Sequence, residues 1–154
     1  MAAKQEPVQF FRSSYEKKEP TTYLKLKAGE VIYMGTLAMR VSGNDYVETY
    51  VAGTNNAILM GVARATYDNS AGVGVKTYAD DNPMVFERGV FKQFTSDGTI
   101  TFDDVGVEVG LKSNWEIGTT VAANECGATL IAIDQRSTNG DTVYVVDIHQ
   151  SGPV

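Results

Sequence analysis

A single cysteine, Cys126, among 154 residues excludes a disulfide within the chain and a thiolate metal cluster. That usage fits a protein assembled inside a cell. Histidine is as scarce: His149 stands alone, so a Ser-His-Asp or Cys-His arrangement would have to use it, and a zinc site would have to be mostly carboxylate. No apolar run approaches the ~18 residues that cross a bilayer. The start, Met1-Ala2-Ala3-Lys4-Gln5-Glu6-Pro7, has no apolar core of signal-peptide length. Heptads, low-complexity tracts and repeats of fixed period are missing as well.

Glycine is plentiful, recurring from Gly29 to Gly140 with no gap longer than about fifteen residues and leaving little room for helices. Three times an apolar and polar alternation stops at a tight-turn group: Ser42-Gly43-Asn44-Asp45, Ser96-Asp97-Gly98 and Thr138-Asn139-Gly140-Asp141. The flanks predict hairpins that pair Leu37–Val41 with Tyr46–Val51, Val90–Phe94 with Thr99–Phe102, and Ala128–Ile133 with Thr142–Ile148. Further strands are predicted at 23–26, 31–34, 58–63, 74–78, 84–86 and 119–121. One helical turn is predicted at Phe102-Asp103-Asp104-Val105-Gly106, capped by an aspartate. Thr66–Val73 and Ala79–Pro83 read as exposed loops. The expected fold is all-β: one small barrel or sandwich of short antiparallel strands, laid out as a meander over residues 23–154, preceded by an extended arm over residues 1–22.

The charge is unevenly spread. Residues 1–27 carry six Lys or Arg against three Glu, and residues 28–154 carry seven against sixteen acids. An acidic body lacks the clustered cations that phosphate binding needs, so no nucleic-acid surface is expected. The leader reads either as a solvated tail or as an arm that lies on an acidic neighbour, such as another copy of the body. Phe10 and Phe11 favour the arm, because adjacent exposed phenylalanines usually find cover. Its candidate binding residues are Phe10, Phe11, Arg12, Tyr15, Lys17 and Lys18.

Residues that bear chemistry have plainer readings. Asp80-Asp81 and Asp103-Asp104 would suit a paired-acid site, yet neighbours on a strand point opposite ways, and such pairs commonly serve turns and caps. Gly72-Val73-Gly74 lacks the third glycine and the helix of a dinucleotide loop. Cys126 has no cation beside it in sequence to activate its thiol and reads as a packing residue. Trp115, with Tyr46 and Tyr50, would suit a carbohydrate-binding module, although a lone tryptophan in a small β domain is more often an anchor in the core or an interface. No cofactor, metal or catalytic residue is expected.

The order of phrases Lys27-Ala28-Gly29-Glu30-Val31-Ile32, Ala57-Ile58-Leu59-Met60-Gly61-Val62-Ala63, Gly89-Val90-Phe91, Thr99-Ile100-Thr101-Phe102-Asp103-Asp104-Val105-Gly106, Ala128–Ile133 and Thr142-Val143-Tyr144-Val145 resembles the head decoration, or capsid cement, proteins of tailed bacteriophages. The likeness spans about residues 24–148. It implies a β-barrel or β-tulip body on the outer surface of the virion, commonly a homotrimer. Its partners would be the major capsid protein and further copies of itself, with no membrane involved, and an N-terminal segment would reach the shell or the next subunit. A tail or baseplate β module is the nearest alternative.

Overall fold

The computed structural model describes residues 20–134 and 142–148. In chain order the strands are β1 (Thr21–Tyr23), β2 (Lys25–Leu26), β3 (Val31–Ile32), β4 (Leu37–Val41), β5 (Glu48–Thr49), β6 (Ala57–Ala63) and β7 (Tyr67–Asp68). They continue as β8 (Lys76–Thr77), β9 (Met84–Glu87), β10 (Gly89–Ser96), β11 (Glu108–Leu111), β12 (Glu116–Gly118), β13 (Gly127–Asp134) and β14 (Val143–Ile148). The fold is all-β, as expected, and it holds a closed barrel, but the strands do not follow one another as a meander. The first half makes an open sheet in the order β1-β9-β6-β4-β5, and the second closes as β10-β12-β11-β13-β14. Two ribbons, β2-β8 and β3-β7, complete the first half.

β6 explains the layering. Its sequence, Ala-Ile-Leu-Met-Gly-Val-Ala, is an unbroken apolar run, the pattern of a strand covered on both faces. Ala57, Leu59 and Val62 enter the core shared with the barrel, whereas Met60 and Ala63 enter a second core with Leu26, Ile32, Tyr67, Met84 and Phe86. The switch between faces falls at a register shift opposite Ala38 and Met39. Gly61 sits there with φ +130°, and a Cβ would lie 2.5 Å from the Glu87 carbonyl oxygen. Only glycine fits that bulge.

The first and third predicted hairpins are present as β4-β5 and β13-β14, the latter through a connection outside the described residues. The second is not. β10 pairs antiparallel with β14 and parallel with β12, and Thr99–Phe102 forms no strand. Local side chains take its donors instead: the Asp97 carboxylate accepts from the Thr99 amide and hydroxyl at 3.0 and 2.6 Å, and the Asp104 carboxylate accepts from the Thr101 amide at 2.8 Å. Such bonds compete with a ladder. They start a short 3-10 helix, Phe102–Asp104, where the aspartate-capped turn was predicted. Residues 119–121, also predicted as strand, are irregular, and the strand lies earlier, at β12. Within the predicted loop 66–73, Tyr67 belongs to β7 and packs edge-on against Tyr78 and Phe86 at 5.8 Å.

Sheet and barrel share one core, in which Leu37, Met39 and Leu59 meet Phe91, Phe94, Leu111 and Leu130. Tyr50 fastens the seam: its hydroxyl donates to the Leu111 carbonyl at 2.8 Å and accepts from the Cys126 amide at 3.1 Å. Tyr50→Phe leaves both barrel groups unpaired in a buried place. It is expected to lower the unfolding free energy by about 1–3 kcal/mol in urea titration.

The same seam sets an alkaline limit. Burial pushes the Cys126 thiol up from 9.0 to about 11 and holds the Tyr50 phenol above its ordinary 10.0. Both groups are neutral in the folded chain at pH values where the unfolded chain has begun to ionise. The thiol's contribution to stability is whole below pH 9 and is lost as pH rises towards 11, whereas the phenol's is whole below pH 10 and is lost at higher pH still. Unfolding free energy should therefore decline first between pH 9 and 10, and Cys126→Ser should flatten that first decline. An equal slope in the variant would assign the loss to other groups.

Candidate interaction surfaces

The predicted arm residues Phe10, Phe11, Arg12, Tyr15, Lys17 and Lys18 lie outside the described residues, as do His149 and the turn at Thr138–Asp141. The described chain begins at Pro20. Thr21 and Thr22, counted with the arm in the sequence reading, belong to β1, an outer strand of the sheet paired with β9. Beside it, Thr22, Tyr23, Leu24, Lys25 and Asp45 line a hollow of about 380 Å³. The Lys25 ammonium donates to Asp45 at 2.8 Å in the open. That hydrogen bond, and then the charge attraction, raises the lysine's pKa and lowers the aspartate's. The Arg40 guanidinium stands 5.9 Å from the Tyr23 ring centre.

A second surface lies on the barrel. The Gly106 amide donates to the Leu130 carbonyl at 2.7 Å, and the Leu130 amide donates to the Val107 carbonyl at 3.1 Å, which fastens the turn 102–107 to β13. Four apolar side chains are exposed around this junction: Phe102 at 67%, Val105 at 39%, Val107 at 48% and Ile131 at 45%. Exposure of this order in a group of four marks a contact surface better than scattered single residues do. Asp103 and Glu108 are exposed beside them. Asp104 is anchored by the Thr119 hydroxyl at 2.5 Å, which, followed by the Thr101 amide, holds its carboxyl below the usual range. Sequence reasoning took Phe102–Gly106 only as a turn. The missed signal is apolar residues interleaved with acids in a stretch, residues 93–111, that contains four acids and no Lys or Arg.

No family model, curated protein or solved structure matches this chain. The surfaces therefore have to be read from their own chemistry. Among the described residues no group of three or more His, Cys, Asp or Glu is placed to hold a metal ion, and no helix is long and apolar enough to cross a membrane. Asp80 and Asp81 are exposed in the turn before β9, next to a bond from the Asn82 amide to the Ala79 carbonyl. Tyr50 is buried and hydrogen-bonded, so it is not free to stack on a sugar ring, whereas Trp115 is half-buried. The Gly72-Val73-Gly74 segment is pinned by Asn69, whose side-chain amide donates to the Lys27 and Gly74 carbonyls at 2.9 and 3.0 Å. Val73 is fully exposed there.

Proposed function

We propose that this chain is a head decoration subunit of a tailed bacteriophage. In this reading it binds the outer surface of the capsid where capsomers meet, as a homotrimer whose arms tie copies together, and stabilises the shell. The observation that carries the reading is a sheet edge: among the described residues β1 ends the sheet and pairs only with β9, and the body behind it is a sheet and a barrel joined by one core. An edge strand offers a row of backbone donors and acceptors to a neighbouring chain. The shared core gives load on the sheet a path into the barrel. The reading also draws on the resemblance in the order of sequence phrases, whose segments lie on β3, β6, β10, β13 and β14 and in the turn 99–106.

Repetition supplies strength. Three modest contacts made by one trimer act together, so avidity exceeds the affinity of any single contact. Co-sedimentation of the full chain with expanded shells of its phage, stripped of outer proteins, is expected to saturate at a fixed number of copies per capsomer junction, with no uptake by tail tubes. Phe10→Ser combined with Phe11→Ser should weaken that binding about tenfold or more while leaving thermal unfolding unchanged. Shells that take up none of the unaltered chain, or tail tubes that take it up instead, would overturn the reading.

A further inference from the structure

Asp97-Gly98 is the one Asp-Gly step in the chain. An aspartate followed by glycine is open to attack by the main chain on its own side chain, because no Cβ shields the next nitrogen or restricts its backbone. The Gly98 nitrogen adds to the carboxyl carbon of Asp97 in its protonated form. A C–N bond forms, the C–O bond to the hydroxyl breaks, and the hydroxyl leaves as water with the amide proton. Water then opens the cyclic imide at either carbonyl. Opening at the side-chain carbonyl restores aspartate, and opening at the main-chain carbonyl leaves the chain running through the side chain as isoaspartate. No oxidant, metal or second reactant enters.

The fold leaves this step near water, with Asp97 half-buried and Gly98 and Thr99 exposed, yet both reacting groups are held. The Gly98 amide donates to the Ser96 hydroxyl at 2.9 Å. One Asp97 carboxylate oxygen accepts from the Thr99 amide at 3.0 Å and from the Thr99 hydroxyl at 2.6 Å, and that hydroxyl in turn accepts from the Thr119 amide at 2.9 Å. The other oxygen lies over Gly118, where a Cβ would come within 2.5 Å of it. Attack needs nitrogen and carbon roughly 3–3.5 Å apart with their orbitals aligned. A carboxylate fixed at one oxygen by Thr99 and lying against β12 with the other cannot turn freely to find that geometry. An amide proton bound to Ser96 is harder to release.

The reaction would strike where the barrel closes. β10 joins β12 through only two residue pairs, Thr95 with Glu116 and Ser96 with Ile117, and the Asp97 amide extends this ladder by donating to the Ile117 carbonyl at 2.9 Å. Isoaspartate at position 97 adds a carbon to the main chain there and moves the carboxylate away from Thr99. We propose that Asp97 is a latent site of isoaspartate formation, locked in the folded chain by Ser96, Thr99 and Gly118 and opened when those contacts are lost. The inference uses only residues of the barrel and its turn, so shell binding has no part in it.

The full chain is incubated at neutral pH and physiological temperature, either folded or in guanidinium chloride, and digested with trypsin. Asp97 then lies on the peptide 93–112, whereas Asn139-Gly140, which reacts by the same route, lies on the peptide 137–154. Isoaspartate is located by fragmentation of the first peptide in the mass spectrometer. The unfolded chain should accumulate it at position 97, and the folded chain should do so more slowly by about tenfold or more. Ser96→Ala combined with Thr99→Val should remove most of that difference while near-ultraviolet circular dichroism stays unchanged. Thr99→Ser, which keeps the hydroxyl and its bonds, should stay slow. If the double variant does not fold, Thr99→Val alone is compared with Thr99→Ser. Equal rates in the folded and unfolded chain would overturn the proposal, as would no isoaspartate at position 97 in the unfolded chain. So would folded variants lacking the Thr99 hydroxyl that remain as slow as the unaltered chain, or Thr99→Ser reacting as fast as Thr99→Val.

Discussion

Gly61→Ala is expected to lower the midpoint of thermal unfolding by about 10 °C or more. Two costs combine at this position. The backbone has φ +130°, a region L side chains rarely adopt, and such strain costs about 1–3 kcal/mol. The new methyl would lie 2.5 Å from the Glu87 carbonyl oxygen and 3.1 Å from its carbon, backbone atoms of the paired strand β9 that cannot swing aside. Overpacking of this kind adds about 1–3 kcal/mol. For a chain of this length each kcal/mol moves the midpoint by about 2–4 °C. Gly98→Ala is the control, because Gly98 has φ +99° with nothing within 4 Å of a built Cβ and so carries strain alone. Equal losses in the two variants would mean that β9 yields, and that the β6 bulge is not the rigid centre of the sheet.

The same position shows where reading a sequence stops. Ala57–Ala63 is legible as a buried strand from its apolar run, but the change of face at Gly61 depends on a partner, β4, whose register only the fold supplies. Hairpins one and three were legible because turn residues and β-branched flanks are local signals. The second failed because Asp97 and Asp104 bind nearby amides, and a side-chain bond competes with a ladder without leaving a trace in the hydrophobic pattern. β11 and β12 were missed because Gly110 and Gly118 look like strand breakers. In the barrel they are needed: a Cβ on Gly110 would sit 2.3 Å from the Thr120 carbonyl oxygen, and one on Gly118 would sit 2.5 Å from an Asp97 carboxylate oxygen. The parallel pairing of β10 with β12 has no local turn to announce it. The exposed apolar residues of the turn 102–107 have no such local signal. Whether Phe102, Val105 and Val107 face solvent is decided by how the turn docks on Leu130, a long-range contact.

Lys112→Met is expected to cost about 3 kcal/mol in urea titration, a large effect for one ion pair. A pair such as Lys25 with Asp45, whose side chains are 43% and 67% exposed, is screened by water and adds little. Lys112 and Glu125 differ because their side chains are only 16% and 10% exposed, so water screens them weakly. One Glu125 carboxylate oxygen accepts both the Lys112 ammonium at 2.7 Å and the Ala122 amide at 2.8 Å, which pins the loop between β12 and β13 against the barrel. Without the lysine, a mostly buried carboxylate is left with no opposite charge, a loss of about 3–5 kcal/mol when burial is complete and somewhat less with the residual exposure here. Replacing both partners, Lys112→Met with Glu125→Gln, should recover most of the loss, because the amide oxygen still accepts from Ala122 and no charge is stranded. If the single variant falls within 0.5 kcal/mol of the unaltered chain, the carboxylate has found water or another donor, and the loop is not held by this pair. If the double variant is no better than the single one, the lysine acts through the packing of its methylene stem, whose Cε lies within 2.6 Å of a Cβ built on Gly118, and not through its charge.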